Sequence, residues 1–505
     1  MKVNVIPKVI AFPQKGSPCT ISDDWVIGAP AKLKKYAYYL QVEIKNILGL
    51  DLKLNNSRKE KTIKLKTNKR KFVLAHASNV SCQGQHIEIL GRDEQGLFYG
   101  IQTLKQIFLT SNNVIPACNT FSLPGVKWRG MHLDVSRHFF PISYVKKVID
   151  LMALFKLNRF HWHLTDDQGW RIESKKFPLL HEIGSRRDEE GYREAQYYTQ
   201  EEIKELVAYA EERFIEVVPE IDMPGHTQSV LAAYPHLSCT GKPTEVWLDW
   251  GVSDEVLCLG KETTYEFVEE LLDEIIPLFK SKYFHIGGDE CPDTAWEKCE
   301  HCQKKLRELG LDKSRALQHQ FTNFLGKILE KHDKILIGWD EITEGVLPEN
   351  SAVMAWRGDA VKAAVNAMKQ DKQVIFTPNN CYYLDWRQTD EEGEHGAFGV
   401  TGLKRVYQCN PYRLIGKSTN RFYKAQIVKS VLGVQANLWT ERIHNEKELE
   451  YMLFPRLLAI AEQAMWDFEL NDFEEFENRV KIVCEKVLKH YDVNYCETIY
   501  TGIKQ

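Results

Sequence analysis

The segment VKWRGMHLDVSRHFFPISYVKKVIDLMALFKLNRFHWHLTDDQGW, residues 126–170, decides the fold. It opens on a β-type run at 130–134. It then passes through a helical stretch in which Val145, Val148, Met152 and Phe155 recur on one face, and ends in a second β-type run at 160–164. Polar residues follow each run, Arg137 after the first and Asp166 with Asp167 after the second. Strand, helix, strand is the unit from which parallel sheets are built.

The same rhythm continues downstream. Further strand candidates lie at 216–221, 283–286, 335–339, 352–356, 373–377 and 433–438, with helical patterns between most of them. Thr199 with Glu202, and Thr263 with Glu266, have the spacing at which a hydroxyl and a carboxylate cap a helix start reciprocally. A pattern over 446–466 supplies a last helix. Strand–helix units in this number predict an α/β fold, a (β/α)8 TIM barrel over residues 123–470, in preference to a doubly wound sheet, which spacing alone does not exclude.

Residues 1–122 read differently, as a small α+β domain. Leu33, Leu40, Ile44 and Ile47 repeat at helical spacing, and 96–108 reads as a second amphipathic helix. Between them RKEKTIKLKTNKRK, 58–71, is basic. Its alternating Ile63 and Leu65, with Val73 beyond, predict an edge strand flanked by solvated lysines and not a nucleic-acid surface. Residues 471–505 read as a terminal helix and tail.

The chain has 505 residues, 43% hydrophobic and 27% charged, with a formal net charge of −4. That composition lies outside the disordered and membrane ranges, and the charge argues against a nucleic-acid partner. The first residues, MKVNVIPKVIAFPQKG, lack an apolar run of signal-peptide length, so a cytoplasmic location is expected unless a leader has been trimmed. The twelve cysteines are scattered, which predicts reduced thiols. Cys291, Cys299 and Cys302 lie near His285 and His301, but a structural zinc site needs a second close ligand pair, so no metal is expected.

In a barrel of this kind the loops after the strands form the active face. Here those positions hold Arg137, Asp166 and Asp167, Asp222 and His226, Asp289 and Glu290, Trp339, Trp356, Tyr383 with Asp385, and Trp439 with Glu441. Acids and arginine fix hydroxyl groups while indoles pack on the apolar faces of a pyranose, so the set suits a sugar pocket. Cleaving a glycosidic bond needs a proton donor and a group that meets the oxocarbenium-like centre. Adjacent Asp289 and Glu290 follow Gly287 and Gly288, whose backbone freedom permits an irregular strand exit, and mutual repulsion raises one of the two pKa values.

Taken together, WRGMHLDVSRHF (128–139), HWHLTDDQGWR (161–171), PEIDMPGHT (219–227), HIGGDE (285–290), GWDE (338–341) and LWTE (438–441) resemble the family 20 β-N-acetylhexosaminidases, and the resemblance extends over nearly the whole chain. HIEILGRDEQGLFYGIQTL (86–104) looks like the small domain that precedes the barrel in that family. The resemblance implies a retaining exo-hydrolase releasing terminal GlcNAc or GalNAc. In its substrate-assisted mechanism the acetamido carbonyl oxygen attacks the anomeric carbon and gives an oxazolinium intermediate. It implies Glu290 as general acid and later base, Asp289 as the group orienting the acetamide, and Tyr383 as donor to the attacking oxygen. It assigns Arg137, Glu441 and Asp385 to sugar hydroxyls, has Trp339, Trp356 and Trp439 wall the pocket, and makes Asp166, Asp222 and His226 a supporting network. No cofactor is implied, and the partner is an oligosaccharide or glycoconjugate. Two alternatives stand beside this reading: a disaccharide-releasing lacto-N-biosidase-like enzyme and a non-catalytic carbohydrate-binding barrel.

Overall fold

The computed structural model describes residues 3–55, 61–111, 113–187, 194–410, 429–465 and 472–497. Eight parallel strands close a barrel: β1 (Trp128–Asp134), β2 (Arg159–His163), β3 (Glu216–Glu220), β4 (Tyr283–His285), β5 (Ile335–Trp339), β6 (Ser351–Ala355), β7 (Gln373–Phe376) and β8 (Val431–Leu438). β1 pairs with both β2 and β8, which completes the circle. Every strand candidate lies within about two residues of its expected bounds. These strands are buried on both faces, so they read as dense apolar runs interrupted by inward polar residues.

Alternation along β2 illustrates the division. Phe160 and Trp162 point outward into the layer of helices, whereas His161 and His163 point into the barrel. The interior is mixed: Trp128, Val218, Ile337, Trp339, Met354 and Ile375 form an apolar cluster, above which Glu220 gathers His161, His163 and His285. The outer layer includes α1 (Ile142–Leu154), α2 (Gln200–Glu211), α3 (Glu262–Ile275), α4 (Arg315–Lys331), α5 (Val361–Lys369), α6 (Glu446–Leu453) and α7 (Arg456–Met465).

Three local expectations change. The single helix expected over 446–466 is two, α6 and α7, because Pro455 has no N–H to continue the ladder; Trp466 lies outside the described residues. The capping box is present at Thr199, whose hydroxyl accepts from Glu202 N, but α3 begins at Glu262 with Lys261 in the cap position. Thr263 is thus already inside the first turn, and the T-x-x-E spacing does not by itself say which residue keeps an extended backbone. The strand Thr62–Thr67 is not an edge: it pairs in parallel with Val26–Gly28 on one side and His86–Gly91 on the other. Alternation reports which face is buried and says nothing about neighbours in the sheet. Residues 58–60 of the basic segment lie outside the described residues.

That strand belongs to a seven-stranded sheet at the front of the chain. Helices Lys34–Leu48 and Glu94–Thr110 share one core with it. Helix 94–110 also faces the barrel: Gln106 Nε2 donates to Leu154 O (3.1 Å), and the Arg129 guanidinium donates to the Tyr99 hydroxyl (2.6 Å). Helix Phe473–Val483 ties both units together, since Arg479 pairs with buried Glu462 of α7 and donates to Val5 O (2.9 Å). Among the described residues no helix is long and apolar enough to cross a membrane.

Candidate active site

At the C-terminal ends of the strands lies a cavity of about 360 Å³. It is lined by Arg137, His226, Asp289, Glu290, Trp356, Tyr383, Asp385, Trp439 and Glu441, together with Asn379, Trp386 and Phe398. Nine side chains expected at the site therefore meet in one cavity, although six different strand exits carry them.

The exit from β4 explains the tight HIGGDE spacing. Gly287, Gly288 and Glu290 all have positive φ, at 66°, 91° and 42°. At Gly287 a Cβ would stand 1.7 Å from Asp222 Oδ1, so a side chain is excluded by space as well as by backbone conformation. The turn is pinned from several directions. Gly288 N donates to Asp222 Oδ1 (3.0 Å), Gln318 Nε2 to Gly288 O (2.8 Å), and Arg315 to Cys291 O (2.6 Å). The result separates the two acids. Asp289 is 8% exposed inside the cavity, whereas the Glu290 side chain, 45% exposed, stands at its mouth.

Beneath them runs a line of alternating charge. Arg137 Nη2 lies 2.8 Å from Asp166 Oδ2, and Asp166 Oδ1 lies 3.0 Å from His226 Nδ1. His226 Nε2 then lies 3.9 Å from Asp289 Oδ2 and 3.8 Å from Glu290 Oε2. Burial alone would push the His226 pKa down, but Asp166, Asp167 and Asp289 outweigh it and hold the value well above that of free histidine. Burial likewise opposes the charge on Asp166, yet Arg137 and His226 keep its carboxyl well below the usual range. A cationic imidazole thus sits between a firmly ionised aspartate and the acid pair.

Asp289 is pushed the other way. Burial comes first, followed by the neighbouring Asp222, and together they raise its pKa well above the ordinary carboxylate value. The group lifted in the acid pair is thus Asp289, and its Oδ1 has no hydrogen-bond partner within the protein. Asp385 is raised by burial and by Glu441, and its Oδ1 is unpartnered in the same way. Such orphaned carboxylate oxygens beside a small cavity are what a bound polyhydroxy ligand would satisfy.

The aromatic residues form a wall and a floor. Trp356 and Tyr383 are stacked, with ring centroids 6.0 Å apart and planes 16° from parallel. Trp439 lies across from them, with the Arg137 guanidinium 5.0 Å from its ring. Burial and the adjacent Asp289 raise the Tyr383 pKa far enough to keep its phenol protonated and able to donate.

Three expected positions fall outside the lining. Trp339 does not wall the cavity: it is fully buried, donates through Nε1 to Glu220 (2.8 Å) and packs under Trp439. It is the last residue of β5, and its side chain points into the barrel. Asp166 and Asp222 also lie beneath the surface, where they brace His226 and the β4 turn. Conversely Asn379, Trp386 and Phe398 line the cavity without having been singled out. Trp386 directly follows Asp385, and that adjacency was the available signal; Phe398, 77% exposed, lies on the short strand Ala397–Val400, which pairs with Trp386–Arg387 and carries no motif. Glu341 is the last residue of GWDE. It accepts from Trp356 Nε1 (3.0 Å), and burial with Asp340 raises its pKa to about 7.

Residues 126–468 match the family model for the glycosyl hydrolase family 20 catalytic domain, and residues 2–120 match that for glycosyl hydrolase family 20 domain 2. A β-hexosaminidase of Porphyromonas gingivalis is 43% identical over 81% of this chain and 53% of its own length, so the chain spans about half of that relative. The structure of an exo-β-N-acetylglucosaminidase from Vibrio harveyi in complex with N-acetylglucosamine superposes with a TM-score of 0.87 at 30% identity, covering 98% of this chain and 78% of that one. A β-N-acetylhexosaminidase from Streptomyces coelicolor superposes with a TM-score of 0.86 at 27% identity, covering 98% and 97% of the two chains.

Proposed function

The chain belongs to glycosyl hydrolase family 20, and on that premise we propose that it is a retaining exo-β-N-acetylhexosaminidase acting on terminal non-reducing β-linked GlcNAc or GalNAc. The observation that carries the proposal is the placement of the two acids: a buried Asp289 beside the Tyr383 phenol, and an accessible Glu290 at the mouth. A cavity of about 360 Å³ is near the lower end of small-molecule sites, roughly 300 Å³, and suits one terminal ring.

In the first step Glu290 gives its proton to the glycosidic oxygen as the bond from that oxygen to the anomeric carbon breaks. The acetamido carbonyl oxygen of the same sugar forms the new bond to the anomeric carbon, and positive charge moves onto the amide. Tyr383 donates to that oxygen and Asp289 accepts the amide N–H. The raised pKa of Asp289 is then an asset. Its charge is costly in the free site because of burial and Asp222, and the positive charge that develops on the acetamide relieves this cost most fully in the transition state. In the second step Glu290 takes a proton from water, the water oxygen bonds to the anomeric carbon as the bond from the acetamide oxygen to that carbon breaks, and the neutral acetamide is regenerated with overall retention.

Matched 4-nitrophenyl glycosides test this. GlcNAc and GalNAc substrates should turn over, while the glucoside, lacking the acetamido group, should not. Asp289→Asn and Glu290→Gln should each lower kcat/KM on the GlcNAc substrate by roughly 10²–10⁴-fold. An undiminished rate for Glu290→Gln would remove the acid assignment, hydrolysis of the glucoside would remove substrate assistance, and a disaccharide product from a longer glycan would replace the exo reading. Sugar binding without turnover in the unaltered protein would leave a lectin-like barrel.

A further inference from the structure

Four cysteines converge away from the cavity. Cys239 follows the turn Pro235–Leu237, Cys258 precedes α3, and Cys299 and Cys302 stand at the start of helix Glu300–Glu308. The Sγ atoms are 3.7 Å apart for Cys258 and Cys299, 3.6 Å for Cys258 and Cys302, and 3.8 Å for Cys239 and Cys302. All four sulfurs lie within 4.8 Å of one another. None is in a disulfide; three are buried and Cys239 is partly so.

These separations carry chemical information. Disulfide sulfurs are bonded at about 2.05 Å, so the pairs are far too long for that. Thiolates placed tetrahedrally about zinc at about 2.3 Å have sulfur–sulfur edges of about 3.8 Å. The observed edges match, and a set of four sulfurs with no oxygen or nitrogen donor is the soft, closed set that selects zinc.

We propose that Cys239, Cys258, Cys299 and Cys302 hold a structural zinc ion. Along the chain Cys299 and Cys302 lack a second close ligand pair; folding supplies it from Cys239 and Cys258, distant in sequence. Cys291 and the two histidines do not take part. Cys291 packs beside Gly225, His285 faces Glu220 inside the barrel, and His301 is exposed.

The ion would staple two loops that carry the acids and their support. The segment with Cys239 and Cys258 follows β3, Asp222 and His226, and the segment with Cys299 and Cys302 follows β4, Asp289 and Glu290. Their backbones already touch: a Cβ on Gly260 would meet the His301 carbonyl carbon at 2.1 Å. The link then runs inward, since Trp296 Nε1 donates to Leu257 O (2.9 Å) and Leu257 N to Pro224 O (3.1 Å), two residues from His226. With all four positions taken by the protein, the ion has no open site for substrate, so its role is to hold the loops.

Elemental analysis of the full chain, purified without chelator from zinc-supplemented cells, tests the assignment. One zinc per chain is expected, with X-ray absorption showing four sulfurs at about 2.3 Å. The double variant Cys299→Ser/Cys302→Ser should lose the zinc, and Cys19→Ser, in the front domain, should keep it. If the double variant does not fold, the metal content and absorption spectrum of the unaltered protein decide alone. Absence of zinc, iron in its place, a nitrogen or oxygen shell, disulfides among these four cysteines, or zinc retained by a folded double variant would each overturn the proposal.

Discussion

Gly287 shows how much one missing side chain controls. Its φ of 66° and the 1.7 Å approach of Asp222 Oδ1 to its would-be Cβ mean that Gly287→Ala combines left-handed strain with a clash against a buried carboxylate. The expected cost is about 2–5 kcal/mol, with activity lost well before stability because the turn aims both acids. Thermal melting and rates on an N-acetylglucosaminide measure the two effects separately; a variant matching the unaltered protein in both would show that the turn relaxes freely. The glycine pair was legible in the sequence as an irregular strand exit. What it avoids was not, because Asp222 comes from the previous strand. Trp339 shows the converse: an indole at a strand end reads as a sugar platform, and only the inward direction of that last residue makes it a floor bonded to Glu220.

Among the elements, α2 and α3 make an instructive pair. Both carry T-x-x-E near their start, but only Thr199 closes a reciprocal cap, with Thr199 N donating to Glu202 (2.8 Å). Thr199→Ala should therefore cost about 1 kcal/mol and Thr263→Ala much less, read from chemical denaturation midpoints. Equal losses would mean that the two threonines play the same part. The barrel strands themselves were legible because each is buried on both faces and bounded by polar exits. Sheet neighbours in the front domain were not, since Ile63 and Leu65 alternate in the same way whether the strand has one partner or two.

At the scale of the whole molecule, Lys156 marks the join between the front domain and the barrel. Its amine donates to Thr103 (2.8 Å) and Ser122 (2.9 Å), and burial, reinforced by Arg129, lowers its pKa to about 7. An unfolded lysine titrates near 10.4, so between about pH 7 and pH 10 the unfolded chain binds a proton that the folded one does not. The depressed value therefore makes stability rise with pH across that window and leaves the contribution flat below it. Compared with Lys156→Met, the unaltered protein should gain up to about 1.4 kcal/mol per pH unit from pH 7 to 9 in denaturant unfolding. A difference independent of pH would show that the amine stays charged in the folded state.

The sequence by itself determined the eight strands and most residues of the cavity, because periodic burial and polar strand exits are local patterns that survive without coordinates; closure into a barrel is shown by the pairing of β1 with β8. Only the tertiary structure decided which strand-end residues face the cavity and which lie beneath it, since that depends on the direction of each side chain at the rim. It alone joined Arg137, Asp166, His226 and the two acids into one line of alternating charge, and brought Cys239 and Cys258 to Cys299 and Cys302. Those contacts link residues from separate strand exits, and no spacing along the chain encodes a distance between loops that meet only when the barrel closes.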